Sequence, residues 1–166
     1  MYLGLAEWTV LALVDQHPAH GFAIAALTSR DGEIGKVWHL PRPVVYRALG
    51  RLEDAGMVTA GDEESGPGPK RIPYSATTDG HERVNRWLAQ PVRHVRDLRS
   101  ELLVKLALHD RRGTSSAELV QEQRERLLPM ASSLAAERAA SKGFDAVLLT
   151  WRESATTAAL EFLDRI

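Results

Sequence analysis

Residues 41–60 read PRPVVYRALGRLEDAGMVTA, and this stretch decides the fold of the first half of the chain. A helix is predicted to begin at Pro41-Arg42-Pro43, because a first helical turn tolerates the missing N–H of proline. It is predicted to end at Gly56, a residue type that often follows the last helical turn. One side repeats apolar residues at steps of three and four and should face a core: Val45, Ala48, Leu49 and Leu52. The opposite side carries Val44, Arg47 and Arg51, with Arg42 and Pro43 at its tip.

Two more helices are predicted before this one. The first covers residues 3–15 and is apolar nearly all the way round, so it should lie centrally in a small core. His17-Pro18 ends it, since the residue before a proline avoids the helical conformation. A connector at 19–21 leads to a short second helix over 22–29.

A β-hairpin and a fourth helix are predicted after residue 56. Residues 57–60 and 72–76 are the two strands, and a polar, glycine-rich turn joins them. Thr77-Thr78-Asp79 then offers N-cap oxygens, with Glu82 as a capping-box partner. The order helix, helix, helix, hairpin, helix predicts a winged helix-turn-helix domain with a two-stranded wing over residues 1–89.

Residues 90–166 are predicted to form a second domain that is entirely helical. Gln90-Pro91 marks the boundary. Helices are expected over 97–109, over 116–141 with a kink at Pro129, and over 144–166. The fold class is therefore mainly α.

The last helix carries an apolar seam that predicts a homodimer. Apolar residues recur along it at steps of three and four: Phe144, Leu148, Trp151, Ala155, then Ala158 or Ala159, Phe162 and Ile166. At 1.5 Å per residue this helix would be roughly 34 Å long, which is more than two shorter helices could cover in so small a chain. Packing against a second copy would bury the seam, although an antiparallel bundle within one chain would also use such a pattern.

Composition and charge exclude several classes of function. The chain has 166 residues, a net charge of -1 and no cysteine, which rules out disulfides, thiolate metal sites and a cysteine nucleophile. No phosphate-binding loop, dinucleotide fingerprint or zinc-protease motif occurs, so we expect neither an enzyme nor a bound cofactor or metal. The apolar run at 2–14 has no basic region before it and is too short to span a membrane. We therefore expect a cytoplasmic protein.

Three stretches give the first half its family resemblance. They are LALVDQHPAHGFAIAAL at 11–27, VVYRALGRLEDAGMV at 44–58 and PKRIPYSATTDG at 69–80. In order and spacing they resemble the PadR-like transcriptional regulators over about residues 3–88. The resemblance implies a winged-helix domain that binds operator DNA and a helical dimerisation arm. The sequence departs from the family at Pro41–Val44, where small polar residues are common, and at Phe22, where tyrosine is usual.

The first turns of the third helix are the predicted DNA-reading element. The N-terminal residues of such a helix reach base edges in the major groove. Here they are Arg42, Pro43, Val44, Tyr46 and Arg47. Arg47 could bind guanine in a bidentate way, and Val44 could touch a thymine methyl. Arg42 could replace a phosphate contact that the family makes at that place.

The remaining candidate residues lie further along the same element and at the wing. Tyr46 resembles a tyrosine of the family whose hydroxyl suits a phosphate, and packing is its alternative role. Arg51 should meet a phosphate or pair with Asp54 or Glu53, while Lys70 and Arg71 should lie along the DNA backbone or simply be solvated.

Two further hypotheses concern regulation and the class of partner. Family members often act as repressors that small, commonly aromatic molecules release, and Trp151 could line such an effector site or pack in the dimer interface. The alternative function is a winged-helix module that binds a protein and no DNA, since a fold alone does not fix function.

Overall fold

The computed structural model describes residues 2–63 and 72–166. Its helices are α1 Leu5–Gln16, α2 Gly21–Leu27, α3 Arg42–Asp54, α4 Thr78–Ala89, α5 Leu103–Arg112, α6 Ala117–Ala140 and α7 Gly143–Leu163. Its strands are β1 Ala19–His20, β2 Val58–Ala60 and β3 Pro73–Ala76. The chain forms two compact units, one of Met1–Ala89 with Leu103–Thr114 and one of Gln90–Leu102 with Ser115–Ile166.

Helix α1 lies at the centre of the first unit, as its apolar sequence predicts. Every residue from Val10 to Val14 is buried. Helix α3 packs against it with the predicted face, since Val45, Ala48, Leu49 and Leu52 are all buried. Each fully buried Val or Leu side chain contributes about 1.5–3 kcal/mol, so this contact is a main source of the stability of α3.

The predicted two-stranded wing is part of a three-stranded antiparallel sheet. The hairpin of β2 and β3 is present, with Val58 opposite Ala76 and Ala60 opposite Tyr74. Residues 19–21 are predicted as a connector, but Ala19 pairs with Tyr74 from the other side, which makes β3 the central strand. Two residues are too few to show a strand periodicity, so only the tertiary pairing reveals β1.

The start of α4 differs in detail from the predicted capping box. Thr77 Oγ1 accepts a hydrogen bond from Gly80 N at 3.1 Å, so the cap lies two residues before Asp79. Asp79 instead pairs with Arg83 one turn later, at 2.9 Å. The end of α3 agrees with the prediction, because Gly56 has a φ of 67°.

Helix α5 packs in the first unit. The corresponding helix is predicted from the sequence over 97–109 and in a second domain. Residues 95–102 form a 3₁₀ turn and a π turn, and α5 begins only at Leu103. Val104 and Leu108 are fully buried in the first unit's core. Periodicity shows that a helix has an apolar face but does not show which core that face joins.

A closed polar network attaches α5 to α1 and α4. The Asp15 carboxylate, with its side chain only 5% exposed, binds Arg112 Nη2 at 2.9 Å and His81 Nδ1 at 2.8 Å. Asn85 completes the ring, accepting from Arg112 at 2.9 Å and lying 2.9 Å from His81 Nε2. Both oxygens of the buried Asp15 carboxylate therefore have a partner, which a buried carboxylate requires, whereas Arg112 Nε is buried without one.

An aromatic stack lies at the junction of the same helices. The rings of Trp8 and Trp87 are nearly parallel with centroids 5.4 Å apart, as expected for core tryptophans. The Lys105 ammonium lies 4.8 Å from the centre of the Trp87 ring. On the same helix, burial lowers the pKa of His109, and the positive charges of Arg112 and Lys105 lower it further.

The second unit is built around the hairpin of α6 and α7. Gln123 is completely buried, and its amide accepts from Val92 N at 2.7 Å and donates to Val92 O at 3.2 Å. Helix α6 runs unbroken through Pro129. Within the described ranges, no helix has both the length and the apolar character needed to cross a membrane.

Candidate nucleic-acid interface

The exposed side of α3 carries the predicted DNA-reading residues. Arg42, Pro43 and Arg47 are exposed, and Tyr46 is 44% exposed. Val44 differs, because its side chain is half-buried against the core of the unit. The helix thus offers a cationic and aromatic surface at its first two turns.

Two arginines of this surface have no acidic partner among the residues that the structure describes. Neither Arg42 nor Arg47 pairs with a carboxylate of residues 2–63 or 72–166. The acidic residues of α3, Glu53 and Asp54, lie at the opposite end of the helix. Positive charge is therefore uncompensated at the N-terminal end of α3, where the helix dipole also favours an anion.

Arg51 pairs with Glu7, a partner that the sequence pattern does not indicate. Its Nη1 lies 2.6 Å from Glu7 Oε1, and the predicted pairs with Glu53 and Asp54 are not formed. Glu7 is almost buried, and its other oxygen accepts from Gly4 N at 2.9 Å. Arg51 therefore ties α3 to the start of α1. Its side chain remains 55% exposed, so further guanidinium N–H groups are accessible.

Tyr46 packs against the start of α2. A Cβ placed on Gly21 would come within 2.8 Å of Tyr46 Cε1 and 2.9 Å of Cζ. The absence of a side chain at Gly21 thus makes room for the ring. Tyr74 lies nearby on β3, and burial raises its pKa, with Glu53 and Tyr46 raising it further.

Phe22 belongs to the same surface, although the sequence marks it only as one of the apolar residues of α2. Its side chain is 59% exposed. The Arg42 guanidinium carbon lies over the Phe22 ring and over the Tyr46 ring, 5.5 Å from each centroid. In the sequence, the departure from the family's tyrosine is the one sign that Phe22 differs from the other apolar residues of α2. Only the fold brings Phe22 beside Arg42.

The two wing residues cannot be placed. Lys70 and Arg71 lie outside the residues that the structure describes. Their predicted contacts with DNA stay predictions.

The apolar seam of α7 is partly uncovered in the single chain. Phe144 is 76% exposed and Trp151 is 71% exposed, while Leu148, Ala155 and Phe162 are half-buried. The residues of α7 that are buried are a different set: Leu149, Thr156, Ala159 and Leu163. With 3.6 residues per turn, the centres of the two sets lie about 100° apart around the helix.

Comparisons with known proteins point to one family. The model of the transcriptional regulator PadR-like family matches residues 10–86. The fold is similar to that of Bacillus subtilis PadR in complex with operator DNA, with a TM-score of 0.52, 18% identity, and coverage of 99% of this chain and 97% of that chain. No curated protein sequence matches the chain.

Two other solved structures align over most of the chain with lower scores. Bacillus subtilis PadR in complex with p-coumaric acid has a TM-score of 0.44, 17% identity, and coverage of 97% of this chain and 92% of that chain. The PadR-like transcriptional regulator BC1756 from Bacillus cereus has a TM-score of 0.43, 18% identity, and coverage of 96% and 94%.

Proposed function

Because the chain belongs, through residues 10–86, to the PadR-like family of transcriptional regulators, we propose that it binds operator DNA in a sequence-specific way and represses transcription from it. The observation that carries the proposal is the pair of uncompensated arginines on the first turns of α3, Arg42 and Arg47. A helix of this size fits the major groove of B-DNA, with its first residues at the base edges.

Each residue of the proposed interface has a role that its exposure permits. Arg47 binds the O6 and N7 acceptors of a guanine, a contact worth about 1–3 kcal/mol of discrimination. Pro43 and the outer atoms of Val44 meet the groove, and the Tyr46 hydroxyl meets a phosphate. Arg51 contacts a phosphate while it keeps its bond to Glu7. Lys70 and Arg71 at the wing complete the proposed contact set.

A binding assay with the protein's own upstream DNA tests this function. Arg47→Ala should abolish the preference for the operator over unrelated DNA, measured by gel shift at two salt concentrations. Arg83→Ala is the matched control, since Arg83 is also an exposed arginine of the same unit but lies on α4. If wild-type protein shows no preference for any duplex, the alternative of a protein-binding module takes its place. If Arg47→Ala binds like Arg83→Ala, Arg47 is not part of the site.

We further propose that residues 1–89, with α5 packed on them, are the DNA-binding domain and that the rest of 90–166 is the dimerisation domain, with α7 as the interface between two copies. A homodimer would cover the exposed Phe144 and Trp151 and the half-buried Leu148, Ala155 and Phe162. The residues of α7 buried in the single chain are centred about 100° away around the helix, so this face keeps accessible surface. A dimer also matches a two-fold operator, in which two half-sites are read by two copies of α3.

The oligomeric state tests the interface. Trp151→Glu should yield a monomer by light scattering coupled to gel filtration, because a charge cannot be buried in the seam without a partner. Thr157→Glu is the control, since Thr157 is exposed on α7 about 150° away from the centre of the seam. A dimeric Trp151→Glu protein would exclude this face.

Release by a small aromatic effector is the remaining part of the proposal. An exposed Trp151 would stack such a ligand if the dimer leaves a cavity beside it. Aromatic compounds that release operator DNA should then change the Trp151 fluorescence, taken as the difference between wild type and Trp151→Phe. Release without any such change would remove Trp151 from the effector site.

A further inference from the structure

Two aromatic rings accompany the guanidinium of Arg42 in the protein without DNA. It lies 5.5 Å from the centres of both the Phe22 and the Tyr46 rings, within the range of a cation–π contact. A free surface arginine would instead sample many rotamers and would lose that freedom on binding. The two rings therefore reduce the entropic cost of using Arg42 as a contact.

The rings themselves are fixed by the backbone. Tyr46 lies against Gly21, where an added Cβ would be 2.8 Å away, and Phe22 is the next residue on α2. Arg42 is the first residue of α3, directly after Pro41 and before Pro43, so proline restricts the backbone on both sides. This group of three side chains, Phe22, Arg42 and Tyr46, is called the arginine clamp below.

The clamp leaves the hydrogen-bonding edges of the guanidinium available. A ring interacts with the face of the planar group, whereas its N–H donors lie in the plane and form a fork that fits two acceptors. No carboxylate in the described part of the chain occupies them. The clamp therefore places a guanidinium beside two rings, without a carboxylate partner among the described residues, at the tip of the helix proposed to enter the groove.

We propose that Arg42 reads a guanine in each operator half-site, and that Phe22 contacts the methyl group of a thymine in the adjacent base pair. The inference rests on the proposed operator binding. It gives Arg42 a base contact in place of the phosphate contact that the family resemblance suggests. Guanine O6 and N7 are the acceptors that such a fork fits best, and an exposed phenyl ring is a suitable apolar partner for a thymine methyl.

A phosphate could accept from the same fork, and the structure favours the base. Arg42 is the first helical residue, and it is the N-terminal residues of a recognition helix that reach base edges. Phe22 offers no hydrogen-bond donor, so a purely phosphate-binding surface gains nothing from an exposed phenyl group at that place. An apolar group beside an oriented arginine matches a base edge with a neighbouring methyl.

Selection from a randomised duplex pool provides the first test. The wild-type protein should enrich a motif with a guanine beside a thymine in each half-site. Arg42→Lys keeps the charge and loses the fork, so the guanine preference should fall roughly 5- to 150-fold while the rest of the motif persists. Arg47→Lys is the matched control and should alter a different position of the motif. An unchanged motif in Arg42→Lys, with weaker binding to every sequence, would mean a phosphate contact and would overturn the inference.

Base analogues in the selected operator test the contacts without any change to the protein. Replacing the guanine by 7-deazaguanine removes one acceptor, and replacing the thymine by deoxyuridine removes only the methyl group. Each should weaken binding by wild type, and the deoxyuridine effect should vanish in Phe22→Ala. Full affinity for both analogues would overturn the inference and leave operator binding intact. Absence of any enriched motif for wild type would overturn both the inference and the proposed function.

Discussion

Replacing Gly21 by alanine should disturb the recognition surface from behind. The new Cβ would lie 2.8 Å from Tyr46 Cε1, 2.9 Å from Tyr46 Cζ and 3.2 Å from Leu49 Cδ1. Real Cβ atoms do not approach ring carbons closer than 3.0 Å, and Leu49 is buried in the core and cannot yield freely. Overpacking of this kind costs about 1–3 kcal/mol. The half-exposed Tyr46 ring should move outward and carry Arg42 with it.

Gly50→Ala is the matched control for this change. Gly50 lies on α3 one turn after Tyr46, and an added Cβ would meet no atom within 4 Å. Alanine in a helix interior is more stable than glycine by about 0.5–1 kcal/mol. The two Gly→Ala variants should therefore differ in free energy of unfolding by about 1.5–4 kcal/mol, in opposite directions from wild type.

Urea denaturation followed by far-UV circular dichroism measures the difference. Protein concentration must be equal in all samples, because a dimer unfolds in a concentration-dependent way. The same Gly21→Ala protein should bind the selected operator more weakly and with less guanine preference. A Gly21→Ala protein as stable as wild type, with unchanged operator affinity, would refute the reasoning that Gly21 supports the clamp.

Three more perturbations have outcomes that the structure predicts. Arg112→Met leaves the buried Asp15 carboxylate with one charged partner fewer and should lower the free energy of unfolding by about 3–5 kcal/mol, measured by urea denaturation. Burial lowers the pKa of His109, so the unfolded chain binds a proton more readily than the folded one. The free energy of unfolding should therefore be full above about pH 6.5 and should fall as the pH decreases below that value. His109→Gln should flatten this part of the pH profile. Arg51→Met removes the charged partner of Glu7 and should lower stability by about 1–3 kcal/mol while the selected DNA motif stays the same; a changed motif would show that Arg51 reads bases.

The helices of the first unit could be predicted well because their signals are local. Pro41–Pro43 and Gly56 bracket α3 within a residue or two, and the buried face of that helix follows its spacing of apolar residues. The hairpin was also predictable, since a polar turn separates two short strand-forming runs. Such signals arise from backbone sterics and from burial of one helix face, neither of which depends on distant residues.

The errors have a common cause in long-range contacts. Strand β1 exists only because Ala19 meets Tyr74, and α5 joins the first unit through the burial of Val104 and Leu108 and the contact of Asp15 with Arg112. The Arg51 bond to Glu7 spans 44 positions in the chain, and no local pattern indicates it. Neighbours on one helix, such as Glu53, are the only candidates that periodicity can offer.

The candidate site divides along the same line. The amino-acid order was enough to name Arg42, Tyr46 and Arg47 as exposed residues of a recognition helix, because helical spacing separates a buried face from a free one. Packing of α2 against α3 decided which side chains stand together, so that Phe22 and Gly21 join them and Arg51 is drawn towards α1. The spacing of residues along the chain specifies the direction in which each side chain leaves its helix. Contact between side chains of two helices depends on how the buried faces of those helices pack together, and that packing is set only when the whole unit folds.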